Sequence, residues 1–123
     1  MNTLLINLTN HPSSRWSEKQ LEAARVYGEI YDMPFPAIDE MGDEEYIALL
    51  ADEFLLKILE IAKSNSIVVH LMGELTFTLA LLKLLQANGI ECIASTSKRI
   101  VKGETAGHKE EVIFRFERFR RYL

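Results

Sequence analysis

Segments of two different hydrophobic periods alternate along this chain, and that alternation limits its fold more than any other feature. Thr3 to Leu8, Glu29 to Met33, Ser66 to Met72 and Ile90 to Ala94 are short, apolar or β-branched runs that read as strands. Between them lie segments of helical period. Ser17 followed by Gln20 is a capping-box signal, and Leu21, Ala24 and Arg25 continue at helical spacing to a stop at Gly28. From Asp43 to Lys63, Ile47, Leu50, Phe54, Ile58 and Ile61 recur every three or four residues, with charged residues elsewhere on the wheel. Leu75 to Asn88 forms a third helix, closed by Gly89.

Strand, helix, strand, helix, strand, helix, strand predicts an α/β Rossmann-like three-layer sandwich: a mainly parallel sheet with helices on both faces. The tail differs. Arg99 to Lys102, a turn over Gly103 to Gly107, and Glu110 to Phe119 read as a C-terminal antiparallel hairpin, in which Val112, Phe114 and Phe116 alternate with Ile113, Arg115 and Glu117. At 123 residues, without repeats or linkers, residues 1–123 are expected to form one domain.

The single cysteine, Cys92, lies in the apolar run Ile90 to Ala94, which predicts a buried thiol in a reducing interior. No signal peptide is visible, and the longest apolar stretch, Leu79 to Leu85, is interrupted by Lys83. The expectation is a cytoplasmic protein with no membrane partner. Ten acids stand against two lysines between Glu29 and Lys63, and eight bases against four acids between Lys98 and Leu123. A net charge of −4 argues against a general binder of long nucleic acids. The basic end either faces an anion or is a solvated tail.

In open parallel sheets ligands sit outside the carboxyl ends of the strands. That rule selects three segments. The first strand delivers Asn7, Thr9, Asn10, His11, Ser13, Ser14, Arg15 and Trp16. The third delivers His70, Gly73, Glu74, Thr76 and Thr78, and the fourth Ser95, Thr96, Ser97, Lys98 and Arg99. Hydroxyls, free amides at a helix start and a Lys-Arg pair suit a phosphate-bearing ligand. The hydroxyls equally suit capping and turn bonding, and Trp16 is either a surface for a base or a lid over the core.

No GxGxxG or GxxxxGK[ST] is present, which argues against a common nucleotide cofactor, and none is expected. A Ser-His-Asp triad lacks an elbow motif, and no acid stands in sequence to pair with a histidine. His11, His70 and Glu74 stand singly, without ligand spacing, so no metal is expected and His70 reads as a hydrogen-bonded core histidine. The third helix is apolar almost all round, which predicts a cover over its outer face, with self-association as the simplest one.

The first-strand loop Asn7-Leu8-Thr9-Asn10-His11-Pro12-Ser13-Ser14, the segment Met72-Gly73-Glu74-Leu75-Thr76-Phe77-Thr78 and the strand end Ala94-Ser95-Thr96-Ser97-Lys98-Arg99 resemble those of CRISPR-associated Rossmann fold (CARF) proteins. The small stand-alone members of that group are ring nucleases. Where CARF domains often carry a Gly-Thr-Lys loop, this chain has Gly73-Glu74-Leu75-Thr76.

The resemblance implies a homodimer that binds a cyclic oligoadenylate, most simply cyclic tetra-adenylate, in type III CRISPR antiviral signalling. It implies metal-independent cleavage by attack of a ribose 2′-hydroxyl on the adjacent phosphorus. In that reading Lys98, Arg99, Ser13 and His11 carry the chemistry. Asn7, Thr9, Asn10, Ser14, Arg15, Gly73, Glu74, Thr76, Ser95, Thr96 and Ser97 hold the ligand. The alternative is a non-catalytic cyclic-nucleotide sensor or interaction module.

Overall fold

The computed structural model describes residues 2–103 and 111–123. One five-stranded sheet runs through the molecule in the order β2-β1-β3-β4-β5. Its strands are β1 (Asn2–Leu8), β2 (Glu29–Asp32), β3 (Asn65–Leu71), β4 (Glu91–Lys102) and β5 (Glu111–Arg121). The first four pair in parallel, and β5 returns antiparallel along β4. The α/β Rossmann-like sandwich with a C-terminal hairpin is therefore the observed architecture.

Three helices cover the sheet. α1 (Glu18–Arg25) lies on one face, and α2 (Glu44–Ala62) and α3 (Leu75–Ala87) on the other. Their caps follow from sequence. Ser17 accepts a hydrogen bond from the Gln20 amide, and Asp43 accepts one from the Tyr46 amide, each satisfying a donor that the first helical turn leaves free.

Successive strand residues point to opposite faces, so each strand divides its side chains between two cores. Ile6, Leu8, Val69, Leu71 and Cys92 face α2 and α3 and join Phe54, Ile58, Phe77, Leu81 and Leu85 in the larger one. Leu5, Val68 and Ile93 face α1, where Trp16, Ala24, Phe116 and Phe119 complete the smaller one. Cys92 is buried as expected, and burial pushes its thiol up to about 12, out of the reactive range.

The fourth strand is much longer than its apolar run. Ser95 to Arg99, expected to be a strand-end loop, is β strand paired to β5, with a bulge between Thr96 and Ser97. The Thr96 hydroxyl serves that bulge, donating to the Arg118 carbonyl at 3.1 Å and accepting from the Arg118 amide at 3.2 Å. Most of the expected turn over Gly103 to Gly107 lies outside the described residues.

The apolar third helix also has its explanation. α2 packs along its flank, where Phe54 meets Phe77 edge to face at 5.4 Å. Only a narrow outer strip remains open, with Leu75 67% and Leu79 45% exposed. No described helix is long and apolar enough to cross a membrane.

Candidate functional site

The parallel register brings four polar side chains into a row across the carboxyl end of the sheet. Asn7 stands opposite Asp32 on β2 and opposite His70 on β3, while Ser95 lies two residues beyond the partner of His70, Ile93. Asn7, His70 and Ser95 occupy the α1 face, since each lies two residues beyond Leu5, Val68 or Ile93.

Hydrogen bonds run continuously along this row. The Ser13 hydroxyl donates to Asp32 Oδ2 at 2.6 Å, and the Ser13 amide donates to Asp32 Oδ1 at 3.0 Å. Asn7 Nδ2 donates to Asp32 Oδ1 at 2.8 Å and to the His11 carbonyl at 2.9 Å. Both of these partners only accept, so the Asn7 amide orientation is fixed and its Oδ1 faces His70 Nδ1 at 3.0 Å. His70 must then carry its proton on Nδ1. Its Nε2 is left as an acceptor, 3.2 Å from Ser95 Oγ.

Burial, and secondarily the neighbouring charge of His11, push His70 down to about 4, so it is a neutral imidazole near pH 7. Asp32 shows the reverse balance. Partial burial raises it, but the bonds from Ser13 and Asn7 outweigh that and hold its carboxyl below the ordinary range. The row therefore begins with a carboxylate and ends with a hydroxyl facing a bare ring nitrogen.

Ser95 opens into a cleft of about 590 Å³. Thr9, Asn10, His11 and Arg15 form one wall. Gly73 and Met72 stand at the sheet end, and Ser95, Thr96, Ser97, Phe114 and Phe116 form the far wall. Trp16 and His70 lie at its base. The ring of His70 meets Trp16 at 5.5 Å and Phe119 at 5.1 Å, both near perpendicular, which screens it from water on two sides. Trp16 is thus both a lid over the smaller core and part of the cleft, its Nε1 donating to the His11 carbonyl at 3.1 Å.

The first wall is held by its own backbone. The His11 carbonyl accepts from Asn7, Trp16 and Thr9, and the Thr9 hydroxyl also lies 3.0 Å from Asn7 Oδ1. Gly73 lies close under the Phe35 ring, and a Cβ there would come within 2.2 Å of it, so a larger residue would have to displace that ring.

Several expected site residues stand elsewhere. Ser13 is committed to Asp32, and Ser14 is exposed in the short 3₁₀ turn Ser13–Arg15. The amides at the start of α3 do not await a phosphate. The Glu74 carboxylate caps them, accepting from the Phe77 amide at 2.8 Å and from the Thr76 hydroxyl at 2.7 Å. These bonds hold Glu74 below the usual carboxylate range.

Lys98 pairs with Arg115 across the hairpin and so shares its face, the one turned away from the cleft. Arg99 does not itself line the cleft, but it stands opposite the wall residue Phe114 and so shares the cleft-facing side of the hairpin. Among the described residues the cation that lines the cleft is Arg15, and it forms no ion pair there.

Sequence reasoning took His70 as a core histidine, which it is, but missed that it faces the cleft through Ser95. It also missed Asp32, and with it the acid that links to a histidine through Asn7. The available signal was positional: Asn7 and His70 each stand next to last in an apolar strand, where a buried hydrophobe is the rule. Among the described residues no three histidine, cysteine, aspartate or glutamate side chains cluster as a metal site would require.

Fold and site together define a Rossmann-like α/β protein with a cleft at the carboxyl ends of its strands, over a buried hydrogen-bonded row. The chain belongs to the family described as the Uncharacterized protein MJ1673 family, whose model matches residues 3–120. No curated protein and no solved structure matches it.

Proposed function

We propose that the cleft binds a cyclic oligoadenylate and that the protein is a metal-independent ring nuclease of type III CRISPR antiviral signalling. The observation that carries this reading is that Arg15 lines the same cleft as the aromatic rings of Trp16, Phe114 and Phe116. Aromatic faces take stacked bases, and a guanidinium takes phosphate oxygens. Phe114 is 66% exposed, so its ring is free to receive an adenine. Thr96 and Ser97 add hydroxyls on the same wall.

Cleavage by the ribose 2′-hydroxyl asks for in-line positioning and for stabilisation of charge on the phosphorane oxygens. Arg15 supplies the charge in this proposal, in place of Lys98 and Arg99, and the exposed ring of His11 is the proton carrier. A two-fold ligand fits a two-fold dimer, because each loop is then used twice, once from each protomer. The exposed Leu75 and Leu79 strip of α3 is the proposed contact, and sedimentation giving a monomer at micromolar concentration would remove it.

Incubation with radiolabelled cyclic tetra-adenylate in EDTA tests the reading. Linear products ending in a 2′,3′-cyclic phosphate are expected, with Arg15→Ala weakening binding about tenfold. Binding without turnover would leave the sensor alternative, and no binding would overturn both.

A further inference from the structure

The geometry points to Ser95 as a nucleophilic hydroxyl, with His70 Nε2 as the acceptor of its proton and activated acyl or phosphoryl esters as the class of electrophile. This assignment uses the same cleft but does not depend on the oligoadenylate reading.

The proton on His70 sits on Nδ1. Because Asn7 Oδ1 can only accept, Nδ1 donates, and Nε2 presents a lone pair to Ser95 Oγ at 3.2 Å. Ser95 Oγ also lies 3.2 Å from Met72 Sδ. A hydroxyl has one hydrogen, and an imidazole nitrogen is a far stronger acceptor than a thioether, so the hydrogen goes to Nε2. The oxygen lone pairs are then free toward the cleft. A nucleophile, a base within hydrogen-bond reach and a third group fixing the base form the arrangement that activates serine and cysteine nucleophiles. Here the third group is Asn7, itself oriented by the Asp32 carboxylate.

A second observation is independent of the histidine. The pairing of β3 with β4 stops at Ile93, and β3 itself ends at Leu71, so the Ser95 amide has no strand partner on that side. It donates instead to Met72 Sδ at 3.3 Å. A thioether is a weak acceptor on a flexible stem, and Met72 lies at the cleft edge, 36% exposed. Displacing that sulfur frees the amide of the nucleophile's own residue toward a developing oxyanion, a common catalytic use of such a group. The sulfur thus holds the place an oxyanion would take.

The step balances without a cofactor. Ser95 Oγ forms a bond to the acyl carbon, its proton passes to His70 Nε2, and the leaving alkoxide departs with that proton as the alcohol. Water then attacks the Ser95 ester, releasing the acid and restoring the hydroxyl. With a fluorophosphonate the Oγ–P bond forms, the P–F bond breaks, fluoride leaves, and the proton held on His70 passes to solvent.

The test is fluorophosphonate labelling of the full chain, read by intact mass and by mapping the tryptic peptide Leu84–Lys98. One adduct per chain, on Ser95, is expected. Ser95→Ala should abolish it. His70→Gln should slow it about a hundredfold, because an amide can keep both hydrogen bonds but cannot take the proton. Circular dichroism checks that each variant is folded. Ser95→Ala removes one hydroxyl from the cleft wall and keeps the question decidable should His70→Gln fail to fold. No adduct on the wild-type chain, an adduct that persists in Ser95→Ala, or an unchanged rate in a folded His70→Gln would each overturn the assignment. None of these results bears on whether cyclic tetra-adenylate binds, so the two readings fail separately.

Discussion

The two faces of the sheet are cut from the same strands yet are built on opposite terms. Toward α2 and α3, β1 presents Ile6 and Leu8, and two helices of 19 and 13 residues seal them in a dry core. Toward α1, the same strand presents Leu5 and then Asn7, and a helix of 8 residues leaves the strand ends to a hydrogen-bonded row and a cleft. A face needs enough helix over it to stay apolar to the strand ends. Where the cover is short, buried polar groups there must satisfy one another, and the last of them meets the cleft.

The largest expected effect belongs to the dry face. Phe77 is fully buried between Phe35 and Phe54, and Phe77→Ala should cost about 3–5 kcal/mol in urea unfolding. A loss below about 1 kcal/mol would mean that this face is far looser than its packing.

Acid should act on the polar face. His70 is held at about 4 in the folded chain against an ordinary 6.5. Between those pH values the unfolded chain binds a proton that the folded chain does not. Stability should therefore fall as pH drops from about 6.5 to about 4, by a few kcal/mol at most. His70→Gln should flatten that window, as unfolding curves at pH 7, 5.5 and 4.5 would show. The remaining acid loss lies lower, where Asp32 takes its proton.

Next in size is Asn7→Ala. It strips partners from Asp32, His70 and the His11 carbonyl together and should cost about 2 kcal/mol, more than an average polar truncation. The smallest effect has the opposite sign and sharpens the contrast. On the dry face Thr78 Oγ1 is buried without a hydrogen bond, so Thr78→Val should stabilise by about 1 kcal/mol. An equal loss instead would mean that its hydroxyl is satisfied in solution.

Much of this was legible along the chain. The capped starts at Ser17 and Asp43, the apolar β3 run and the periodic α2 follow from local rules that tertiary packing did not override. β4 beyond Ala94 was not legible. Ser95 to Arg99 is polar because Ser97 to Arg99 are exposed on the hairpin arm, and a strand with no dry side gives no periodic signal.

The site was half legible for a different reason. Its loops were placed by topology, but Asp32 and Asn7 lie 25 residues apart and meet only through parallel register. Glu74 and Ser13 look the same in sequence whether they cap, brace or bind. The structure gives them to the helix start and to Asp32.

The buried row and the nucleophile assigned to Ser95 turn on one proton. Long-range ¹H–¹⁵N NMR of the His70 ring reads its position directly. The expected result is a neutral ring with Nδ1 protonated and Nε2 bare, unchanged from pH 8 down to about 5. A proton on Nε2, or titration near 6.5, would contradict the Asp32–Asn7–His70–Ser95 row.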